Sequence, residues 1–162
     1  MTSRELLAFM RTHRVAVQAS VAPAAAPQAA VVGIAITDHF EVVFDTLGSS
    51  RKAHNLRANP SIALVMGGLM PGDERTVQYE GEADEPGGAE RERLAEEYYA
   101  VYPDGRDRLS WPGLTYFRVR PRWIRYSDFG QAPPLIAEFT TGQCFTCDGG
   151  LTAASPLQLG LF

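Results

Sequence analysis

The chain has 162 residues, of which 45% are hydrophobic. Its 15 Lys and Arg residues against 19 Asp and Glu residues give a formal charge of −4. A chain of this length buries roughly 70% of the surface that its unfolded form exposes, so it can form a core without metal or disulfide cross-links. The composition therefore excludes a globally disordered chain, and the negative charge argues against a general binder of nucleic acid or anionic membrane.

The sequence predicts neither a membrane span nor a secretion signal. The longest unbroken apolar run, Ala29 to Ile36, is far shorter than the ~20 residues that a bilayer-spanning helix needs. Charged residues interrupt the apolar residues of the N-terminal segment, so a signal-peptide hydrophobic region cannot form there. We therefore expect a cytoplasmic protein.

Two cysteines, Cys144 and Cys147, form a C-F-T-C motif near the end of the sequence. Glycines surround this pair, whereas a thioredoxin-like site would have a helix start, and the histidines lie far upstream. We therefore expect two ordinary reduced thiols and no metal site.

The predicted elements are short helices and strands. Thr2 and Glu5 match a capping box, which predicts an N-terminal helix that ends near His13. Residues 15–22 then alternate with a period of two, as in a half-buried strand. The remaining predicted elements, in chain order, are strands over 28–36 and 40–46, a helix over 51–58, strands over 61–67 and 75–84, a helix over 89–102, and strands over 114–121 and 122–129.

Short turns join these strands, a pattern that favours an antiparallel barrel over a doubly wound parallel sheet. We therefore predict a mainly β fold with flanking short helices. One domain is expected over residues 1–130, followed by an irregular tail over residues 131–162.

A basic segment lies where the third predicted strand leads into a helix. Residues 46–57 contain Arg51, Lys52 and Arg57 and no acidic residue. Free backbone amides, the positive end of the helix dipole and two serine hydroxyls would converge there with the Arg-Lys pair. These features are typical of a phosphate-binding site, and a capped surface helix with solvated basic residues is the alternative.

The run FDTLGSSRKAHNLRANP over residues 44–60 resembles the signature of the pyridoxamine 5′-phosphate oxidase-like FMN-binding split-barrel superfamily. The later run RTVQYEGEA over residues 75–83 resembles a second family pattern, R-x-V-x-V-x-G-x-A, and the resemblance covers about residues 3–129. It implies an antiparallel split β-barrel, a homodimer with FMN at the subunit interface, and a flavin-dependent oxidoreductase acting on a small molecule. The matching residues of the first signature are Phe44, Thr46, Ser50, Arg51, Lys52, Ala53, Leu56, Asn59 and Pro60.

The resemblance also implies which residues contact FMN. Arg51 and Lys52 are implied to bind the phosphate, helped by Ser50 and Ser49. A strand with small side chains is implied to lie along the flavin ring, because a flat ring needs close approach of the backbone. The other implied cofactor contacts, the first five of them on that strand, are Gln28, Ala29, Ala30, Val31, Val32, Asp45, Thr46 and Thr76.

The predicted substrate region departs from the family pattern. Tyr98 matches a family tyrosine that contacts the pyridoxal phosphate group, but Tyr102 stands where the family has an arginine. The C-terminal substrate segment of the oxidases is also replaced here by a different sequence. Because phosphate recognition without that cation is weak, we expect a different substrate, with Tyr98, Tyr102 and Trp111 as candidate contacts.

Two other function classes remain open at this point. One is a non-catalytic split barrel that stores or senses FMN, a deazaflavin or haem. The other is a nucleic-acid-binding barrel, although ion pairs with the acidic segment over residues 73–97 would neutralise the basic strand that it requires. That strand carries Arg118, Arg120, Arg122 and Arg125 among aromatic residues.

Overall fold

The computed structural model describes residues 1–68 and 70–140. Its helices are α1 (Ser3–Arg11), α2 (Arg51–Ala58) and α3 (Gly88–Val101), and a 3-10 helix (Pro103–Ser110) follows α3. No helix in these residues is long and apolar enough to cross a membrane. The strands are β1 (Val15–Val21), β2 (Pro27–Gly33), β3 (Ala35–Ile36), β4 (Val42–Leu47), β5 (Ser61–Gly67), β6 (Arg75–Asp84), β7 (Leu114–Asp128) and β8 (Leu135–Thr140).

The described strands form one antiparallel sheet in the order β2-β1-β5-β6-β7-β4-β3, and β8 pairs with β7. The two strands predicted over 114–121 and 122–129 are one strand, β7, which pairs with β4, β6 and β8. A register shift between Glu80 and Gly81 lies beside Pro121, which has no backbone N–H to donate. The sheet curls into a half-barrel with short flanking helices, which confirms the predicted split barrel.

Side chains on one face of the sheet form the larger core. Helix α1 contributes Leu6 and Met10, and α2 contributes Ala53 and Leu56. The capping box at Thr2 is confirmed, so α1 begins where the sequence predicts. Other buried residues of this core include Ala16, Ile34, Phe44, Leu64, Met66, Val77, Tyr79, Phe117, Val119 and Ile124.

Helix α3 covers part of the opposite face. Successive residues of a strand point to opposite faces, so Val43 contacts α3 whereas Phe44 lies in the larger core. This second core consists of Ala35, Val43, Leu94, Ala95, Tyr98, Tyr99 and Tyr116.

Strands β1, β2 and β5 leave an apolar row exposed beside the part of the sheet that α3 covers. Val17 pairs with Val31 on one side and with Val65 on the other, so the three side chains lie side by side. Val31 is 66% exposed. We call these residues, together with Val15, the valine row. Contiguous apolar surface of this kind is uncommon on a monomer and marks interaction surfaces.

The irregular tail expected beyond Gly130 is wrong for residues 135–140. Strand β8 pairs along its whole length with the second half of β7, and its side chains facing the larger core are Leu135, Ala137 and Phe139. A strand of six residues between proline-rich and glycine-rich stretches shows too short a period-two pattern to be distinguished from a loop.

Tyr79 provides a test of this core. Its buried hydroxyl lies 3.0 Å from the carbonyl oxygen of Phe40 and 2.9 Å from that of Val119. We expect Tyr79→Phe to lower the free energy of unfolding by about 1–3 kcal/mol, because the variant loses the hydrogen bonds that the hydroxyl makes in the buried core. Urea unfolding measures the change. The control is Tyr126→Phe on the same core face, since the Tyr126 hydroxyl has no hydrogen-bond partner in the described residues; equal destabilisation by both variants would contradict the prediction.

Candidate functional site

The predicted phosphate-binding segment lies where β4 ends and α2 begins. The Ser50 hydroxyl caps the helix by accepting a hydrogen bond from the Ala53 N–H at 3.3 Å. The Thr46 hydroxyl lies 3.1 Å from the Ser50 hydroxyl and accepts a hydrogen bond from Lys52 Nζ at 3.4 Å. The fold therefore brings Thr46, Ser50 and Lys52 together; we call these three residues and Arg51 the cradle.

The burial of one side of α2 orients the cradle. Ala53, Asn55 and Leu56 are buried, so Arg51 and Lys52 are left on the accessible side of the first turn. Neither cation forms an ion pair with any residue in 1–68 or 70–140. Ser49 is exposed in the turn before the helix. Two uncompensated cations, hydroxyl groups and free helix amides together favour a bound anion.

Arg57, the third cation of the basic segment, is engaged elsewhere. Its guanidinium forms two hydrogen bonds to Glu85, at 2.7 and 2.9 Å. The hydrogen bonds to Glu85 raise the pKa of Arg57, and Arg57 in turn lowers the pKa of Glu85. The charge available to a ligand at α2 is therefore that of Arg51 and Lys52.

Asp45 and Thr46, which the resemblance places at the cofactor together, point to opposite faces of β4. Asp45 faces α3, where its Oδ1 accepts a hydrogen bond from the Tyr98 hydroxyl at 3.0 Å. Arg108 of the 3-10 helix lies 3.6 Å from the other carboxylate oxygen. Burial, and then the charge of Asp45, raise the pKa of Tyr98, so this hydroxyl stays protonated and donates.

Buried hydrogen bonds join β2 to α2. Asn55, which is only 4% exposed, donates to Gln28 Oε1 at 2.9 Å and to the Ser20 hydroxyl at 3.2 Å. Of the predicted ring-contacting residues, Ala29 and Val31 point to the valine-row face, and the other three, Gln28, Ala30 and Val32, point to the opposite face. Asn55 thus fixes the strand predicted for the flavin ring relative to the cradle, and no motif in the sequence identifies this residue.

The predicted substrate residues Tyr98 and Tyr102 meet the end of β2. Their rings stack with centroids 4.8 Å apart, and a Cβ at Gly33 would lie 3.1 Å from each hydroxyl. The Tyr102 hydroxyl donates to the Arg14 carbonyl. A side chain at position 33 would therefore crowd both tyrosine hydroxyls, and glycine permits the close approach of strand and helix.

The structure brings a cation, Arg108, close to Tyr98, although the arginine of the family pattern is replaced by Tyr102. The Arg108 guanidinium lies 5.9 Å from the centre of the Tyr98 ring, and its Nε and Nη2 are buried without hydrogen-bond partners. Trp111, the third predicted substrate residue, is exposed beyond the 3-10 helix and forms no hydrogen bond or ring contact with the two tyrosines. Thr76 lies half-buried on β6 beside Gly68, and no hydrogen bond joins it to the cradle.

The basic strand required for nucleic-acid binding is neutralised. Arg118 forms ion pairs with Asp84 at 2.7 Å and with Glu90 at 2.6 Å. The three other arginines also have acidic partners; these pairs are Arg120 with Asp84, Arg122 with Glu82 and Arg125 with Glu138. The arginines of β7 are therefore paired largely with the acidic segment over residues 73–97, as the alternative to nucleic-acid binding predicts.

Potential metal ligands are scattered in the described ranges. Burial lowers the pKa of His13, whose Nε2 has no hydrogen-bond partner, and His39 and His54 are exposed. No three or more His, Cys, Asp or Glu side chains of residues 1–68 and 70–140 are grouped to hold a metal ion. Cys144 and Cys147 lie outside the described residues.

Comparison with known proteins places these features in a family. No curated protein matches the chain. Its structure is similar to a protein of unknown function from Agrobacterium tumefaciens, with 24% identity and a TM-score of 0.64. The match covers 70% of this chain and 50% of that one. It is also similar to a haem-binding protein from Mycobacterium smegmatis, with 14% identity and a TM-score of 0.74. That match covers 86% of this chain and 58% of the other.

A third similar structure is an FAD-binding protein from Mesorhizobium loti, with 17% identity and a TM-score of 0.63; the match covers 76% of this chain and 90% of that one. These likenesses show a shared fold. A family model described as pyridoxamine 5′-phosphate oxidase matches residues 2–128, most of the sequence. The chain therefore belongs to the pyridoxamine 5′-phosphate oxidase family.

Proposed function

We propose that the chain is an FMN-binding flavoprotein that acts as a flavin-dependent oxidoreductase on a small molecule other than pyridoxamine 5′-phosphate. The observation that carries this proposal is the cradle, in which Arg51 and Lys52 have no acidic partner among the described residues. The FAD-binding relative from Mesorhizobium loti supports a flavin as the ligand class.

The residues present suit a phosphate dianion. Ser49, Ser50 and Thr46 offer hydroxyl donors, and Arg51 and Lys52 offer the charge. The backbone of β2 would hold the flavin ring. Asn55 anchors that strand to α2, so the ring and the phosphate would be held at a fixed distance from each other. When bound, FMN supplies hydride transfer at its ring, and the protein binds and orients the reactants.

The valine row supports a homodimer. Val15, Val31 and Val65 are exposed on the face that α3 leaves open, and a second copy of the chain would remove this apolar surface from water. Because Gly33 and its two tyrosines lie at the border of the row, the substrate region would then lie beside the subunit interface.

The surroundings of Tyr98 support a substrate without a phosphate monoester. The cation beside Tyr98 is Arg108, and the charge of Asp45 opposes it at 3.6 Å. A phosphate dianion placed there would meet a carboxylate as well as a guanidinium.

A non-catalytic cofactor-binding protein is the second candidate. The two tyrosine hydroxyls crowd Gly33, and Tyr102 is held by the Arg14 carbonyl, so little space is left for a substrate next to β2. The haem-binding relative from Mycobacterium smegmatis supports the same class. Reduction of the bound flavin by NAD(P)H, followed by reoxidation with candidate acceptors, distinguishes an enzyme from a binder.

The cradle is tested by the double variant Arg51→Ala/Lys52→Ala. We expect FMN affinity to fall by several kcal/mol, because two charge-assisted contacts of about 1.5–3 kcal/mol each are lost. Flavin fluorescence quenching measures the affinity, and His54→Ala on the exposed side of the same helix is the control. A wild-type protein that does not bind added FMN would contradict the proposed function, and unchanged affinity in the double variant would place the phosphate elsewhere.

The dimer is tested by Val31→Asp. A charge in the centre of the valine row should convert the dimer to a monomer, because an unpaired carboxylate is costly to bury. Sedimentation velocity gives the mass of the species. The control is Leu109→Asp, which changes another exposed apolar residue, on the 3-10 helix. A monomeric wild type, or a Val31→Asp protein that remains dimeric, would refute the proposed interface.

The substrate region is tested by Tyr102→Arg, which restores the family residue. We expect the affinity for pyridoxal 5′-phosphate to rise at least roughly tenfold, since one added charge-assisted hydrogen bond contributes about 1.5–3 kcal/mol. Absorbance titration measures binding, and Tyr102→Phe controls for the loss of the hydroxyl. If Tyr102→Arg and Tyr102→Phe bind the ligand equally, this position does not determine phosphate recognition.

A further inference from the structure

We infer that Arg57 and Glu85 position the phosphate-binding turn of the cradle from outside it, without contacting the phosphate. The inference rests on the proposed FMN site and extends it to residues for which the family signature implies no contact with FMN. Arg57 lies in the last turn of α2, and Glu85 follows the end of β6. We call this pair the Arg57–Glu85 clamp.

The clamp reaches the turn through the backbone of Gly48. Arg57 Nη1 donates to the Gly48 carbonyl oxygen at 2.6 Å. The Gly48 N–H donates to the Gly113 carbonyl at 2.8 Å, so both backbone polar groups of this residue are held. The next link is the Ser50 N–H, which donates to the Leu47 carbonyl at 2.9 Å. Fixing Gly48 therefore fixes the turn that presents Ser49 and Ser50.

Glu85 holds Arg57 in place. Its two carboxylate oxygens accept hydrogen bonds from Arg57 Nε at 2.7 Å and from Arg57 Nη2 at 2.9 Å. Thr115 on β7 donates to the same carboxylate at 2.5 Å. The planar guanidinium can bind a carboxylate with two parallel donors and direct a third at a carbonyl, a fixed geometry that the single nitrogen of a lysine does not reproduce.

Gly48 leaves little free space around this contact. A Cβ at that position would lie 3.0 Å from Arg57 Nη2 and 3.4 Å from the Gly113 carbonyl oxygen. A side chain there would crowd the guanidinium, so glycine favours its close approach.

The clamp contributes to geometry more than to global stability. Arg57 and Glu85 are 41% and 30% exposed, and ion pairs this accessible add little to the free energy of unfolding. Holding a binding turn in its bound conformation instead reduces the ordering that the ligand must impose. The clamp should therefore change the affinity for ligands with a phosphate and leave other flavins unaffected.

The test compares FMN with riboflavin, which lacks the phosphate, in Arg57→Ala and in wild type. We expect Arg57→Ala to weaken FMN binding roughly tenfold and to leave riboflavin binding within about twofold of wild type. Arg106→Ala is the matched control, because Arg106 forms a similar two-bond pair with Glu96 at an exposed site. Equal weakening of FMN and riboflavin would show a merely structural role and overturn the inference, as would unchanged FMN affinity.

Two further variants separate positioning from simple charge attraction. If Arg57 only attracted the phosphate, Arg57→Lys would restore FMN affinity, and Glu85→Ala would strengthen FMN binding by removing an opposing charge. The clamp predicts the reverse signs: Arg57→Lys stays weak, and Glu85→Ala weakens FMN binding although a cation is freed.

Amide hydrogen exchange of the apo protein tests the clamp without FMN. We expect the Gly48 and Ser50 amides to exchange faster in Arg57→Ala than in wild type or Arg106→Ala. Unchanged exchange would overturn the clamp. A wild type that binds no FMN would overturn the proposed function instead, so the two failures are distinguishable.

Discussion

Strand β4 places successive side chains on opposite faces of the sheet, and the candidate site depends on this constraint. Val43 and Asp45 face α3, while Phe44 lies in the larger core and Thr46 meets Ser50 and Lys52. One short strand thus serves two regions, the cradle at its end and the tyrosine cluster under α3. Because the two regions lie on opposite faces of the same strand, side-chain rotation alone cannot bring Asp45 to the cradle.

Pairing of charges elsewhere isolates the cradle. The arginines of β7 pair with acidic residues of β6 and α3, namely Glu82, Asp84 and Glu90, and Glu85 pairs with Arg57. Within residues 1–68 and 70–140, Arg51 and Lys52 have no acidic partner, in a chain whose formal charge is −4. A general polyanion binder needs a broad basic surface, whereas this distribution suits one small anion at one helix start.

Local patterns made part of this structure predictable. The Ser50 cap and the capping box at Thr2 depend on residues within four positions of each other, so the sequence alone predicted both helix starts. Asn55, Arg108 and Glu85 could not be found in that way, because their respective partners Gln28, Asp45 and Arg57 lie 27 or more positions away in the sequence. Only the folded sheet brings them together. The opposite directions of Asp45 and Thr46 do follow from strand alternation, but the family resemblance treats the two residues as one contact.

Strand β1 shows an inverted pattern that links the interior to the proposed interface. Its polar residues Gln18 and Ser20 are buried, and its valines point to the open face. Ser20 has a partner in Asn55, whereas the Gln18 amide is buried without one. Burying polar groups while exposing valines costs free energy in an isolated chain. In the proposed homodimer a second copy would cover the valine row, and burial of these valines would offset part of that cost.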